Sequence, residues 1–109
     1  MITTHVLDLA TGKPGRGIAI ELERTERGVW HLVGGGVTDD DGRVRTLTPS
    51  GVPEGTYRIR FQVGAYFAAR EIEAFFPVVE IQFVVADGGQ HYHVPLLLSP
   101  YGFSTYRGS

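Results

Sequence analysis

The sequence contains no cysteine. That absence excludes a disulfide framework, a thiolate-bound zinc site and a cysteine nucleophile, and it fits a reducing compartment. The chain also lacks any apolar run near the ~20 residues that a membrane-spanning helix requires. Its first residues have neither the basic start nor the apolar stretch of a secretory leader. We therefore predict a cytoplasmic protein that does not associate with a membrane.

The chain also lacks a strong excess of either charge. It has 10 Lys and Arg against 12 Asp and Glu, a net charge of −2, which gives no electrostatic basis for binding nucleic acid. Its 109 residues, 42% of them hydrophobic, are enough to bury roughly two thirds of the unfolded surface. We predict a single domain that spans residues 1–109.

Alternating apolar and polar residues predict short β-strands along most of the chain. Glycine, proline and aspartate mark turns between them, and three successive glycines at 34–36 indicate a bulge or a close backbone approach. Residues 66–74 lack the alternation and form the only predicted helix. The predicted strands cover residues 3–9, 16–25, 29–33, 44–47, 56–63 and 79–85, with two more in residues 91–109. This pattern is typical of an antiparallel β-sandwich.

Four histidines provide the first candidates for chemistry. His91 and His93 share one strand face, opposite an apolar stripe that begins at Tyr92, so the imidazoles lie outside the core. Their spacing could chelate a metal, although two half-exposed histidines on a sheet face are the ordinary alternative. His5 lies in the first strand, where it could be a surface imidazole. His31 has no companion signal, and we interpret it as structural.

Arg43 follows the acidic turn 38–42 and has two interpretations. It could be a solvated arginine paired with Asp39 or Asp41, or a fixed cation that stabilises a carbonyl or enolate oxygen. The aspartates could suggest calcium, but the turn lacks the EF-hand pattern, so a solvated turn is the preferred interpretation. Ser109 lacks the G-x-S-x-G context of a serine nucleophile.

Six stretches are informative when taken together: Thr4-His5-Val6-Leu7-Asp8, Gly12-Lys13-Pro14, Asp41-Gly42-Arg43, Phe75-Phe76-Pro77, the run from His91 to Pro100, and Tyr106-Arg107-Gly108-Ser109. Together they resemble the 5-hydroxyisourate hydrolases, the enzyme branch of the transthyretin-like family. The resemblance covers nearly the whole chain, and the C-terminal tail is its most discriminating part. One departure is Asp39, where the family pattern has asparagine, a change that alters turn chemistry little.

The resemblance implies two four-stranded sheets with one short helix, assembled as a homotetramer from two dimers, with sites at the dimer–dimer interface. It implies hydrolysis of 5-hydroxyisourate in urate catabolism without a cofactor or a metal. His5 and His93 would position and deprotonate water. Arg43 would hold the substrate and stabilise the oxyanion, while Tyr106 and Ser109 would close the cleft.

Two other functions compete with this one. A non-catalytic transthyretin-like carrier would bind a small hydrophobic ligand in the same cleft. A β-sandwich interaction or sugar-binding module would instead need exposed loop aromatics or a calcium site. The histidines and the polar tail favour the hydrolase over both.

Overall fold

The computed structural model describes residues 1–45, 47–48 and 52–109. The prediction of an all-β sandwich with one short helix is confirmed. The elements are β1 Ile2–Asp8, β2 Lys13–Pro14, β3 Ala19–Glu26, β4 Val29–Val37, β5 Arg43–Val44, β6 Gly55–Phe61, α1 Val63–Ala68, β7 Val79–Val85, β8 Tyr92–Ser99 and β9 Gly102–Thr105. No helix in this part of the chain is long and apolar enough to cross a membrane.

The strands form two sheets. The first has the order β2-β1-β8-β9, with the short β5 also paired to β1, and the second has the order β4-β3-β6-β7. All pairs are antiparallel except β1 with β8, which run parallel from the pair Ile2 and Tyr92 to the pair Asp8 and Leu98. This parallel pair departs from the predicted antiparallel arrangement. Apolar alternation reports which face a residue occupies but carries no information on strand direction.

The core lies between the sheets and is built from the apolar face of each strand. Val6 and Leu96 of the first sheet and Leu22 and Ile59 of the second are completely buried. On β8 the predicted apolar stripe of Tyr92, Val94, Leu96 and Leu98 is buried, and His93 and Leu97 of the other face are only half-buried. Pro95 is the exception, because it belongs to the outward face and is buried. The faces turned away from the core are therefore free to carry polar groups.

The helix lies earlier in the chain than predicted. It spans Val63–Ala68, so the prediction of 66–74 is wrong at both ends, and residue 63 had been assigned to a strand. Val63, Tyr66 and Phe67 are its buried residues, the i, i+3, i+4 spacing of one helix face. After Ala69 the backbone turns away, and Glu71 has a positive φ of 58°, a conformation that ends a helix.

The glycines at 34–36 lie inside β4, which continues to Val37 rather than ending at residue 33. The pairing of β3 with β4 shifts between Leu22 and Glu23, so the predicted bulge is present. A Cβ at Gly34 would collide with the backbone carbonyl of Leu47. Both features that the glycines predicted therefore occur.

Candidate active site

The outward face of the first sheet brings together residues from the two ends of the chain. Thr3 and His5 of β1 lie on this face, and the strand pairing sets Thr3 opposite His93. On the other side of β1, His5 pairs with Arg43 of β5. Three neighbouring strands thus place on one sheet face the two histidines and the arginine that the family resemblance implied as site residues.

The acidic turn shapes the backbone that carries Arg43. The Asp39 Oδ1 accepts hydrogen bonds from the backbone N–H groups of Asp41 and Arg43, at 2.9 and 3.0 Å. The hydrogen bond from the Arg43 N–H is the main cause that lowers the pKa of Asp39. Gly42 has a φ of +76°, and a Cβ there would collide with the Val6 carbonyl. This turn fixes where the strand containing Arg43 begins.

The Arg43 guanidinium does not pair directly with the aspartates of the turn. Arg45 does so instead, with nitrogens 3.8 Å from Asp39 and 3.5 Å from Asp41. Within the described residues the Arg43 guanidinium forms no ion pair or hydrogen bond. The alternative in which Arg43 pairs with Asp39 or Asp41 is therefore wrong, although the Arg43 charge helps to lower the pKa of Asp39. The guanidinium is available to a ligand.

Thr3 links the two C-terminal histidines, a role that sequence reasoning missed. Its hydroxyl oxygen lies 2.8 Å from Nε2 of His91 and 2.8 Å from Nδ1 of His93. The alternation of side chains along β1 could have identified Thr3, because it places this residue on the same face as His5. Both imidazoles thus bond a hydroxyl, and the described residues contain no group of three or more potential metal ligands.

The C-terminal tail folds back onto His93. The Gly108 N–H donates a hydrogen bond of 2.8 Å to the His93 carbonyl, and the two residues form an isolated β-bridge. A Cβ on Gly108 would lie 2.5 Å from Cδ2 of the His93 ring, closer than side chains approach. The glycine therefore lets the tail pass against the ring and brings Ser109 to the site.

A cavity of about 230 Å³ lies where these groups meet. We call it the polar pocket, and the residues that define its chemistry are Thr3, Arg43, Arg45, His91, His93 and Ser109. His5 is adjacent, and its charge acts on His93. The pocket is open and cationic, which suits a planar ligand rich in oxygen acceptors.

Tyr106 lies at a different cavity. This edge pocket, of about 340 Å³, lies between β7 and the tail and includes Ile81, Phe83, Val84 and Tyr106. His93 lines both cavities. Within one chain, Tyr106 is therefore separated from Arg43, and its predicted contact with the substrate stays a prediction.

The surroundings of His93 favour its neutral form. Burial of the ring is the largest cause that lowers its pKa, and the positive charges of Arg43, His91 and His5 add to the effect. A neutral imidazole can accept a proton, whereas an imidazolium cannot. His93 is thus prepared to act as a base near neutral pH.

Comparison with known proteins identifies related sequences and structures. Residues 2–108 match the HIUase/Transthyretin family. The chain is 43% identical to a 5-hydroxyisourate hydrolase of Salmonella dublin, over 100% of this chain and 81% of that protein. The 5-hydroxyisourate hydrolase structure of Klebsiella pneumoniae superposes with a TM-score of 0.89 at 37% identity, covering 99% of this chain and 98% of the other.

A second solved structure shares the fold. Sea bream transthyretin in complex with thyroxine superposes with a TM-score of 0.91 at 32% identity, covering 98% of this chain and 93% of the other. The fold alone therefore does not separate the hydrolases from the transthyretins. The family assignment rests on the match along nearly the whole sequence, and the chain belongs to the HIUase/Transthyretin family.

Proposed function

We propose that the protein hydrolyses 5-hydroxyisourate to 2-oxo-4-hydroxy-4-carboxy-5-ureidoimidazoline in urate catabolism. The observation that carries the proposal is the polar pocket, in which a histidine with a lowered pKa lies beside an arginine guanidinium that the acidic turn does not use. The identity of 43% with a relative named as such a hydrolase supports it. A carrier of apolar ligands has no need for this group of cations.

The proposed reaction begins with a water molecule held by His5 and His93. His93 takes a proton from the water as its oxygen bonds to the carbonyl carbon of the ring amide. Arg43 stabilises the oxyanion that develops on the carbonyl oxygen. The C–N bond then breaks, and the proton held by His93 passes to the leaving nitrogen. Ser109 hydrogen-bonds the ring, and Tyr106 closes the cleft.

The direct test is the ultraviolet absorbance decay of 5-hydroxyisourate generated in the cuvette by urate oxidase. The substrate decays spontaneously, so buffer alone supplies the baseline. We expect sub-stoichiometric protein to accelerate the decay and to yield the ring-opened product. Decay equal to the baseline in a folded protein would contradict the proposal. It would favour the carrier alternative, which the likeness to thyroxine-bound transthyretin supports.

The pH dependence of kcat/KM should report the lowered pKa of His93. A base acts in its neutral form, and the neutral fraction falls as the pH drops through the pKa. Because burial and the charges of Arg43, His91 and His5 lower this pKa, we expect activity to persist on acidification and to decline only below pH ~6.5. Initial rates measured from mildly acidic to neutral pH check this. A decline centred above pH ~7 would contradict the role of His93.

Gly108→Ala should lower activity while leaving the fold intact. Gly108 does not have a positive φ, so alanine is compatible with the backbone, but its Cβ would displace the His93 ring. Since a shift of ~1 Å in a catalytic group can cost about 10²-fold, we expect kcat/KM to fall ~10- to 100-fold with an unchanged Tm. Gly102→Ala is the matched control, because its Cβ would meet only Ser99 Oγ at 3.7 Å. Equal activity of the two variants would contradict this account.

The proposal includes a homotetramer with sites at the dimer–dimer interface. The strands β7 and β9 are end strands of their respective sheets, residues of both line the edge pocket, and Val84 of β7 is 65% exposed. Such apolar sheet edges favour pairing with another chain. Light scattering during size-exclusion chromatography would test the tetramer.

The cytoplasmic location stays a prediction, which fractionation of the native cells would test.

A further inference from the structure

The Thr3 hydroxyl lies within hydrogen-bonding distance of one nitrogen of each of two imidazoles. A hydroxyl has a single hydrogen to donate, and a neutral imidazole has one nitrogen with a hydrogen and one without. Thr3 lies 2.8 Å from Nε2 of His91 and 2.8 Å from Nδ1 of His93. The hydroxyl could also accept from both nitrogens, but its own hydrogen would then have no acceptor among the described residues. In the fully paired bridge Thr3 therefore donates to one nitrogen and accepts from the other, which couples the tautomers of the two rings.

Two arrangements of neutral rings give this fully paired bridge. In the first, His93 carries its hydrogen on Nδ1 and donates it to Thr3, which donates to Nε2 of His91. The Nε2 of His93 then has a free lone pair. In the second arrangement the hydrogens are reversed, so that Nε2 of His93 carries a hydrogen and Nδ1 accepts one from Thr3. In that state His93 has no nitrogen available to take a proton from water.

We propose that Thr3 is a positioning residue that holds His93 in the first arrangement, with Nδ1 protonated and Nε2 free to act as the base. The inference deepens the proposed function and rests on the role of His93 there. Thr3 is 9% exposed, so water competes little for its hydroxyl. The exposed His91 accepts the Thr3 hydrogen and leaves its own N–H to solvent.

The same arrangement suits the step that follows. When Nε2 takes a proton, His93 becomes an imidazolium with a hydrogen on each nitrogen. Its Nδ1 hydrogen is already donated to Thr3, so neither Thr3 nor His91 has to reorient. The bridge therefore fixes the ring orientation before and after proton transfer, much as a second-sphere group orients a catalytic histidine.

The test combines spectroscopy with kinetics on the full-length protein. Two-bond ¹H–¹⁵N correlation spectra distinguish the tautomers, and single His→Gln variants assign the four imidazoles. We expect His93 of the unmodified protein to carry its hydrogen on Nδ1. Thr3→Val removes the hydroxyl but keeps the β-branched shape, so His93 should lose this preference, and kcat should fall ~10- to 100-fold with KM nearly unchanged.

Two further variants separate positioning from general destabilisation. Thr3→Ser retains the hydroxyl and should restore the Nδ1 tautomer and most of kcat, whereas Thr56→Val makes the same exchange in the second sheet and should change neither. A His93 that carries its hydrogen on Nε2 in the unmodified protein would overturn the inference, even if Thr3→Val failed to fold. A Thr3→Val protein with unchanged tautomer and kcat would also overturn it. The spectra require no turnover, so failure of the proposed function would be recognised separately.

Discussion

Replacing His93 with asparagine is expected to lower kcat/KM by about 10²- to 10⁴-fold, the usual contribution of a general base. Asparagine retains a polar side chain opposite Thr3 but has no group that can take a proton from water near neutral pH. His93 is half-buried on the outward sheet face, so the core should remain intact. The decay assay for 5-hydroxyisourate measures the loss, and the Tm checks the fold.

His31→Asn is the matched control for this variant. His31 is exposed on β4 of the second sheet, so the same chemical change there should leave turnover and Tm close to those of the unmodified protein. If the His93 variant kept most of its activity, His5 would become the principal candidate for the base. If both variants lost activity equally, the loss could not be attributed to the polar pocket.

The second large effect is expected from Arg43→Gln, which should lower kcat/KM by about 10²- to 10³-fold because it removes the cation that stabilises the oxyanion. A second consequence follows from the same charge. Arg43 helps to lower the pKa of His93, so its removal should raise that pKa. The acid-side decline of kcat/KM should therefore move to higher pH, which a full pH profile would detect.

Arg16→Gln is a stringent control because it removes an arginine that pairs with the same acidic turn. Arg16 lies 2.9 Å from Asp40, and both side chains are largely exposed, so its loss should cost little stability and leave the pH profile unchanged. Arg43→Lys keeps the charge but loses the planar fork. We expect it to retain the pH profile while recovering only part of the rate. An unchanged rate in Arg43→Gln would exclude Arg43 from the mechanism.

The sequence contained most of the information about which face each strand presents. The alternation on β8 separated Tyr92 and Leu96 from His93, and the structure agrees. The bounds of β7, Val79–Val85, match the prediction. Alternation predicts the face of each residue well because a one-residue shift in register would move every apolar side chain of a strand into solvent.

Strand partners and the helix were harder to predict. The parallel pairing of β1 with β8 joins segments at opposite ends of the chain, and no local pattern encodes such a contact. The alanines and glutamates of residues 68–74 favoured a helix by propensity. Packing against the core instead places the helix earlier in the chain, because its buried face is formed by Val63, Tyr66 and Phe67.

The site was predicted in part. His5, Arg43 and His93 followed from the family resemblance, and the structure brings them to one sheet face. Local sequence could not decide whether Arg43 or Arg45 pairs with the acidic turn, since both are within reach of it. Thr3 and Gly108 contact His93, and such contacts become visible only when the strands are paired.

The parallel pairing of β1 with β8 also affects how the protein is made. The two strands are joined by contacts such as the hydrogen bond of 2.6 Å from the Thr4 hydroxyl to the Val94 carbonyl, 90 residues apart. During synthesis β1 leaves the ribosome before β8, and it has no pairing strand until β8 has been translated. Contacts this distant in sequence form slowly and leave a strand edge exposed in the meantime. A nascent chain that still lacks β8 therefore has no polar pocket. A product truncated before β8 lacks both the strand that pairs with β1 and His93, the proposed base. We expect such a product to be degraded by proteases rather than to act as a weak enzyme.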